Sequence, residues 1–216
     1  MRRRSLLAAA ALAGAAGCLG ALDEDDPGGP SDDPRYERCE REAVTYRELP
    51  EEIRAEVDAA LENGYEADRI HLADAIDVAD GYVIVDGTYY DASVTKTDGG
   101  RRLALEAAET PELSPRSFDL ENRTDGRWTG TVTVETDDGE ELLEREVDVE
   151  PDESAGIGSI SRVGVHSVIA DPDDGEPAKG SLSVTITDFG GHVVISDDGI
   201  DVIQAVADLA PCPWNG

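Results

Sequence analysis

The chain has 216 residues and carries 49 aspartate and glutamate side chains against 18 lysine and arginine side chains, a formal net charge of −31 at pH 7. A chain so acidic repels nucleic-acid phosphates, and its sequence has no basic stripe, so nucleic acid is excluded as a partner. The length is enough for one or two domains.

The first residues have the features of an export signal. Three arginines at 2–4 precede an apolar run at 6–16, and small residues at 15–17 come directly before Cys18. Eleven apolar residues are too few for a bilayer-spanning helix, which needs about 20. The segment resembles a twin-arginine signal ending in a lipobox. This resemblance implies that residues 1–17 are a signal peptide and that a lipid on Cys18 anchors the exported chain to the membrane.

The charge of the mature chain predicts a high-salt setting. Removal of residues 1–17 takes away three arginines, so the charge of −31 becomes −34. Such self-repulsion destabilises a compact state unless salt screens it, and at molar salt the screening length falls to about 3 Å. With Lys96 and Lys179 as the two lysines, the composition resembles that of haloarchaeal secreted lipoproteins. High charge also favours disorder, but alternating apolar patterns oppose that interpretation over most of the chain.

Residues 18–34 are predicted to form a disordered acidic tether that carries the lipid on Cys18, because Asp, Glu, Pro and Gly dominate the segment.

Cys39 and Cys212 are the two cysteines left after Cys18. Two cysteines in an exported chain are predicted to form a disulfide with each other. The alternative is two unpaired buried thiols.

Residues 35–110 predict a small α+β domain. A helix is expected from Pro50 to Gly64, because Ile53, Val57 and Leu61 recur every four residues between a proline start and a glycine stop. Asp-Gly turns separate three strands, at 82–85, 88–97 and 101–107. We expect one helix on a small antiparallel sheet, with 42–49 as a candidate further strand and 65–79 unassigned.

Residues 111–216 predict an all-β sandwich. Pro111 and Pro115 mark the boundary. Eight strands at roughly ten-residue spacing are expected, at 117–122, 128–136, 141–150, 156–161, 164–171, 180–189, 191–197 and 200–206. The turn at 150–153 and the following strand from Gly164 through His166 to Val168 resemble immunoglobulin-like modules of archaeal surface proteins.

The sequence offers no catalytic motif. Its three histidines, His71, His166 and His192, are scattered, and no GxSxG, HExxH or phosphate-binding glycine loop is present. His166 alternates with apolar residues, which favours a packed histidine. An enzyme would need a pocket in which some of His71, His166, Tyr89, Tyr90 and acidic side chains converge, so no catalytic residue is assigned and no cofactor is expected.

Short sequence patterns predict two further sites, a calcium loop and a glycosylation site. Asp171, Asp173, Asp174 and Glu176 surround a glycine as in a calcium loop, although the pattern lacks the distal glutamate, and an ordinary solvated acidic loop is the alternative. Asn122 begins an Asn-Arg-Thr glycosylation sequon.

These features predict an exported, lipid-anchored protein with a non-enzymatic binding or structural accessory role and an envelope protein as its partner. The alternatives are an envelope enzyme and a small-solute-binding lipoprotein.

Overall fold

Strands dominate the fold, which a computed structural model describes for residues 35–206 and 208–215. The predicted signal peptide at 1–17 and the whole of the predicted tether at 18–34, with Cys18, lie outside these residues. In the described part, no helix is long and apolar enough to cross a membrane.

The first part of the chain folds as helices against one five-stranded sheet. Its elements are β1 (Ala43–Thr45), a 3-10 helix (Tyr46–Glu48), α1 (Glu51–Asn63), β2 (Tyr65–Ala67), α2 (His71–Ala75), β3 (Tyr82–Val85), β4 (Thr88–Thr97) and β5 (Gly100–Ala107). The strand order is β1-β3-β4-β5-β2. β1 is parallel to β3, whereas the other neighbours are antiparallel. The three predicted strands form the centre of this sheet, and the two short strands extend it at its edges.

Helix α1 packs its apolar stripe against the sheet. Ile53 and Val57 are fully buried in one cluster with Val83 of β3 and Leu103 of β5. Burial of each such side chain stabilises the fold by roughly 1.5–3 kcal/mol. Pro50 has φ −54° and ψ 154° and caps the helix, so α1 begins at Glu51, one residue later than predicted.

The second part of the chain contains the eight predicted strands. They are β6 (Glu112–Asn122), β7 (Trp128–Glu135), β8 (Glu141–Val149), β9 (Ser154–Arg162), β10 (Gly164–Pro172), β11 (Ala178–Val184), β12 (Asp188–Ser196) and β13 (Gly199–Val206). They form two four-stranded sheets with the orders β11-β10-β7-β8 and β13-β12-β6-β9. All pairs are antiparallel except β6 with β12.

The two sheets enclose a single apolar core, which is the arrangement of a β-sandwich. Val132 and Val168 from one sheet share a cluster with Phe118 and Val193 from the other. The alternation predicted for β7 is confirmed, because every second residue from Trp128 onward is buried. The core around α1 is a separate cluster that also includes Cys212, so the C-terminal segment packs with the first part of the chain.

Polar contacts join the two parts at the start of β6. Glu42 accepts hydrogen bonds from the backbone N–H of Ser114 at 2.6 Å and from Arg116 at 2.7 Å. The Glu112 N–H donates to the hydroxyl of Tyr82 at 3.3 Å. By its contacts, the chain from residue 35 onward is one compact unit, so the number of domains stays a prediction.

Candidate functional site

The strand directions bring four loops to one end of the sandwich. β6, β8, β10 and β12 run toward this end, and the antiparallel strands that follow them run back. Their connections are residues 123–127, 150–153, 173–177 and 197–198, which we call the distal loops. The opposite end of the sandwich holds the start of β6 and its contacts with Glu42. Loops on a rigid sandwich are a common place for binding residues.

Backbone hydrogen bonds hold the distal loops to one another. Asn122 N–H donates to Glu153 O at 3.0 Å, and Asp152 N–H donates to Asn122 O at 2.8 Å. The N–H of Arg123 reaches Ile195 O at 2.8 Å, at the end of β12. The loops at 123–127 and 150–153 therefore share a fixed framework with the end of β12.

The side chain of Asn122 organises the first distal loop. It is fully buried, and its Nδ2 donates to Gly126 O at 2.8 Å and to Val149 O at 3.0 Å. Its Oδ1 accepts hydrogen bonds from the backbone N–H of Thr124 at 3.0 Å and from the Thr124 hydroxyl at 2.8 Å. Glycosylation would replace one of the two Nδ2 hydrogens, so it would remove at least one of these two hydrogen bonds from a fully buried amide.

The distal loops are strongly acidic. They carry nine carboxylates and two arginines, namely Asp125, Glu150, Asp152, Glu153, Asp173, Asp174, Glu176, Asp197 and Asp198 with Arg123 and Arg127. Arg127 donates through Nε to Asp148 at 2.6 Å and lies 3.3 Å from Glu150. Its hydrogen bond lowers the pKa of Asp148. Carboxylates thus determine the electrostatics of this end.

A depression of about 470 Å³ opens beside the distal loops on the outer face of β7 and β8. Thr129, Thr131, Glu146 and Asp173 are among its lining residues, so hydroxyl and carboxylate groups surround it. Its floor includes Gly130, where a Cβ would lie 2.3 Å from Asp171 O. Close approach of β10 therefore requires glycine at this position.

The four residues of the predicted calcium loop lie at the end of β10 and in the distal loop that follows it. Asp171, Asp173, Asp174 and Glu176 are all exposed. Among the described residues, no three His, Cys, Asp or Glu side chains are grouped so that they could hold a metal ion.

The structure does not bring together the residues that an enzyme would need. His71 lies in the α1 part, whereas His166 is buried in the sandwich, where its Nε2 is 2.9 Å from Arg162 O. His192 is exposed on β12. Tyr89 and Tyr90 are adjacent on β4, so their side chains point to opposite faces of the sheet.

Tyr89 lies where the two parts of the chain meet. Its ring makes an edge contact with Tyr82 at a centroid distance of 5.7 Å. Burial, together with the nearby carboxylate of Asp188, raises the pKa of Tyr89. This environment belongs to the junction between the two parts of the chain.

The structure confirms the predicted disulfide between Cys39 and Cys212, with a Cα–Cα distance of 5.1 Å. Two further contacts hold the C-terminal segment beside it. Arg41 Nε donates to Ala210 O at 2.8 Å, and Trp214 Nε1 donates to Glu48 O at 2.9 Å. We call these three contacts the clasp. Arg41 and Trp214 were not found by sequence reasoning, because nothing local relates them to residues about 170 positions away.

Comparisons with known proteins identify no family. No protein-family model matches the chain, and no curated protein matches it. An NMR structure of a protein from Eubacterium rectale aligns over 44% of this chain and 93% of its own, with 17% identity and a TM-score of 0.32. At this TM-score the likeness supports no argument about fold or function.

Proposed function

We propose that this protein is a lipid-anchored cell-surface protein with a non-enzymatic binding or structural accessory role in a high-salt envelope. Cys18 would carry the lipid, residues 18–34 would be the tether, and an envelope protein would be the partner. The proposal includes an immunoglobulin-like assignment for the sandwich.

One observation carries the proposal. The clasp lies beside the first described residues in the fold, since the ring of Tyr36 makes an edge contact with the ring of Trp214 at a centroid distance of 6.3 Å. The distal loops lie at the end of the sandwich away from the junction with that part. A tether that joins the fold at residue 35 would attach on the other side of the junction from the distal loops, which supports the distal loops as the surface that a partner contacts.

The acidic surface supports the proposed setting. Exposed carboxylates remain hydrated at molar salt, where screening removes most of their mutual repulsion. The buried disulfide also fits an exported protein, because disulfides persist in oxidising compartments.

The proposal is tested by crosslinking in intact haloarchaeal cells at native salt. Tagged full-length protein is crosslinked, and mass spectrometry identifies the captured chains and the modification on the protein's own N-terminus. We expect a lipid on Cys18 and a reproducible envelope partner. An unmodified Cys18 would refute the anchor. A lipid without a captured partner would favour the solute-binding or enzyme alternative.

Two matched variants separate the distal loops from the rest of the surface. Asp-Asp-Gly occurs at 173–175 in a distal loop and at 137–139 in the turn between β7 and β8 at the other end of the sandwich. Changing Asp173 and Asp174 to serine should reduce capture of the partner. The same change at Asp137 and Asp138 should leave capture unchanged, and equal effects would argue against the distal loops.

A further inference from the structure

A depression of about 480 Å³ lies along one side of the sandwich, where the edge strand β8 of one sheet meets the edge strand β9 of the other. We call it the seam depression. Strand β6, which pairs with β9, completes it. The residues that line it and matter here are Ser117, Asp119, Arg145, Gly156, Gly158 and Ser159.

Arg145 occupies a position at which β8 otherwise carries apolar residues. It lies directly opposite Val132 of β7, which is fully buried between the sheets, and opposed residues of an antiparallel pair share a face. Leu143 and Val147, two positions away on either side, pack in the core of the sandwich. Because β8 is an edge strand, the exposed side chain of Arg145 lines the seam depression instead of the core.

The seam depression contains one positive and one negative side chain that do not pair with each other. Within the described residues, neither Arg145 nor Asp119 forms an ion pair. The chain has 49 carboxylate side chains for 18 lysines and arginines, so an arginine without a carboxylate partner is not what this composition favours. Two opposite charges on one depression are complementary to a ligand that carries both.

Gly156 keeps the carboxylate of Asp119 open. Glycine weakens the interior of a strand and often marks a bulge or the close approach of a ligand or another backbone. The irregular pairing of β9 accounts for Gly158, which has φ 142° and at which a Cβ would lie 2.7 Å from Cδ1 of Leu143. Gly156 lies outside the left-handed region, and the nearest atom to a Cβ there would be Oδ1 of Asp119 at an ordinary 3.6 Å. The fold therefore tolerates a side chain at this position, but that side chain would cover Asp119.

We propose that the seam depression binds a small zwitterion, an amino acid or a related solute, with its carboxylate on Arg145 and its ammonium group on Asp119. A guanidinium donates two parallel hydrogen bonds to a carboxylate, and a carboxylate accepts hydrogen bonds from an ammonium group. The hydroxyls of Ser117 and Ser159 supply further donors and acceptors at the same depression. This inference is independent of the proposed function, because it needs neither the lipid anchor nor an envelope partner.

Calorimetric titration of the purified full-length chain in molar KCl tests the proposal. The probes are glycine, β-alanine and γ-aminobutyrate, which differ in the distance between their two charges. We expect saturable binding of at least one of them and weaker binding of acetate and of methylammonium, which carry one charge each. No binding of any of the three, or acetate bound as tightly as the best of them, would overturn the proposal.

Three variants and a control assign the binding to the seam depression. Arg145→Gln and Asp119→Asn each remove one charge and should weaken binding about tenfold or more. Gly156→Val should weaken it by covering Asp119, while thermal unfolding shows that the fold is kept, since valine suits a strand. Arg101→Gln, at an exposed position of β5, is the control and should leave binding unchanged. Undiminished binding by Arg145→Gln and Asp119→Asn, or an equal loss in the control, would place the ligand elsewhere and refute the site.

Discussion

The buried carboxylate of Glu56 lies 2.8 Å from Nδ1 of His71. The same carboxylate accepts the backbone N–H groups of His71 and Leu72, each at 2.9 Å. A side chain from the middle of α1 thus satisfies the first amides of α2, which lack partners within that short helix. This contact gives His71, whose side chain is 16% exposed, a structural role.

Glu56→Ala should lower the free energy of unfolding by about 3 kcal/mol, because it leaves two amides and an imidazole nitrogen without their acceptor in the core. Urea titration in molar KCl measures the change. Glu62→Ala, at an exposed position of the same helix, should change the free energy by less than about 0.5 kcal/mol. Equal losses would show that Glu56 does not hold α2.

Asn122→Ala should destabilise the fold by about 2–3 kcal/mol, since it removes a fully buried amide that makes four side-chain hydrogen bonds. Asn63→Ala is the control, because Asn63 is exposed at the end of α1. Thermal unfolding in molar KCl compares the two. If both variants melt at the temperature of the unaltered protein, the amide does not organise the distal loops.

The junction and the clasp should weaken in acid. Burial raises the pKa of Glu42, but hydrogen bonds from Ser114 and Arg116 outweigh it, so the folded-state pKa is below the ordinary value. Burial also raises the pKa of Glu48, but hydrogen bonds from Arg41 and Thr45 outweigh it and lower the folded-state pKa. A depressed pKa contributes stability that is present above the unfolded-chain value of about 4.3 and is lost as pH falls through the folded-state pKa.

Glu42→Gln should therefore make the unfolding free energy less dependent on pH below about 4.3. Urea titrations at a series of pH values down to 3 measure the slope. Glu141→Gln, at an exposed position on β8, is the control and should leave the slope closer to that of the unaltered protein. A slope unaffected by Glu42→Gln would mean that this carboxylate does not link the junction to pH.

Removal of the disulfide should lower the stability of the whole chain. Cys39 and Cys212 are 173 positions apart, and the chain-entropy model assigns about 5 kcal/mol to closure of a loop of this length. The double variant Cys39→Ser and Cys212→Ser should thus melt well below the unaltered protein. Cys18→Ser, which removes the cysteine predicted to carry lipid, is the control and should leave the melting temperature unchanged.

Local patterns were enough to predict the strands and their turns. Asp86 and Gly87 both have positive φ, at 49° and 86°, as an Asp-Gly hairpin turn requires. All eight strands of the sandwich were expected for the same reason, since alternation and turn residues lie within a few positions of each other. The charge and the export features are likewise local properties of the sequence.

Long-range pairing could not be predicted in this way. The parallel pairs β1 with β3 and β6 with β12 join strands separated by other elements. β2 is three residues long, too short for an alternating pattern to identify it. The candidate strand at 42–49 forms only β1, because a 3-10 helix follows at Tyr46–Glu48. Among the candidate site residues, the pairing of Cys39 with Cys212 was predictable because two cysteines allow one bridge.

The sequence by itself determined where the longer strands lie and how acidic the chain is, because both depend on residue type and near spacing. It also determined which cysteines pair, because two cysteines remain after Cys18. The tertiary structure alone decided which groups meet across the fold. Glu56 reaches α2, and Gln204 of β13 bonds the backbone of Ser183 at the edge of β11. These relationships depend on strand order and packing, which bring together residues that no local pattern connects.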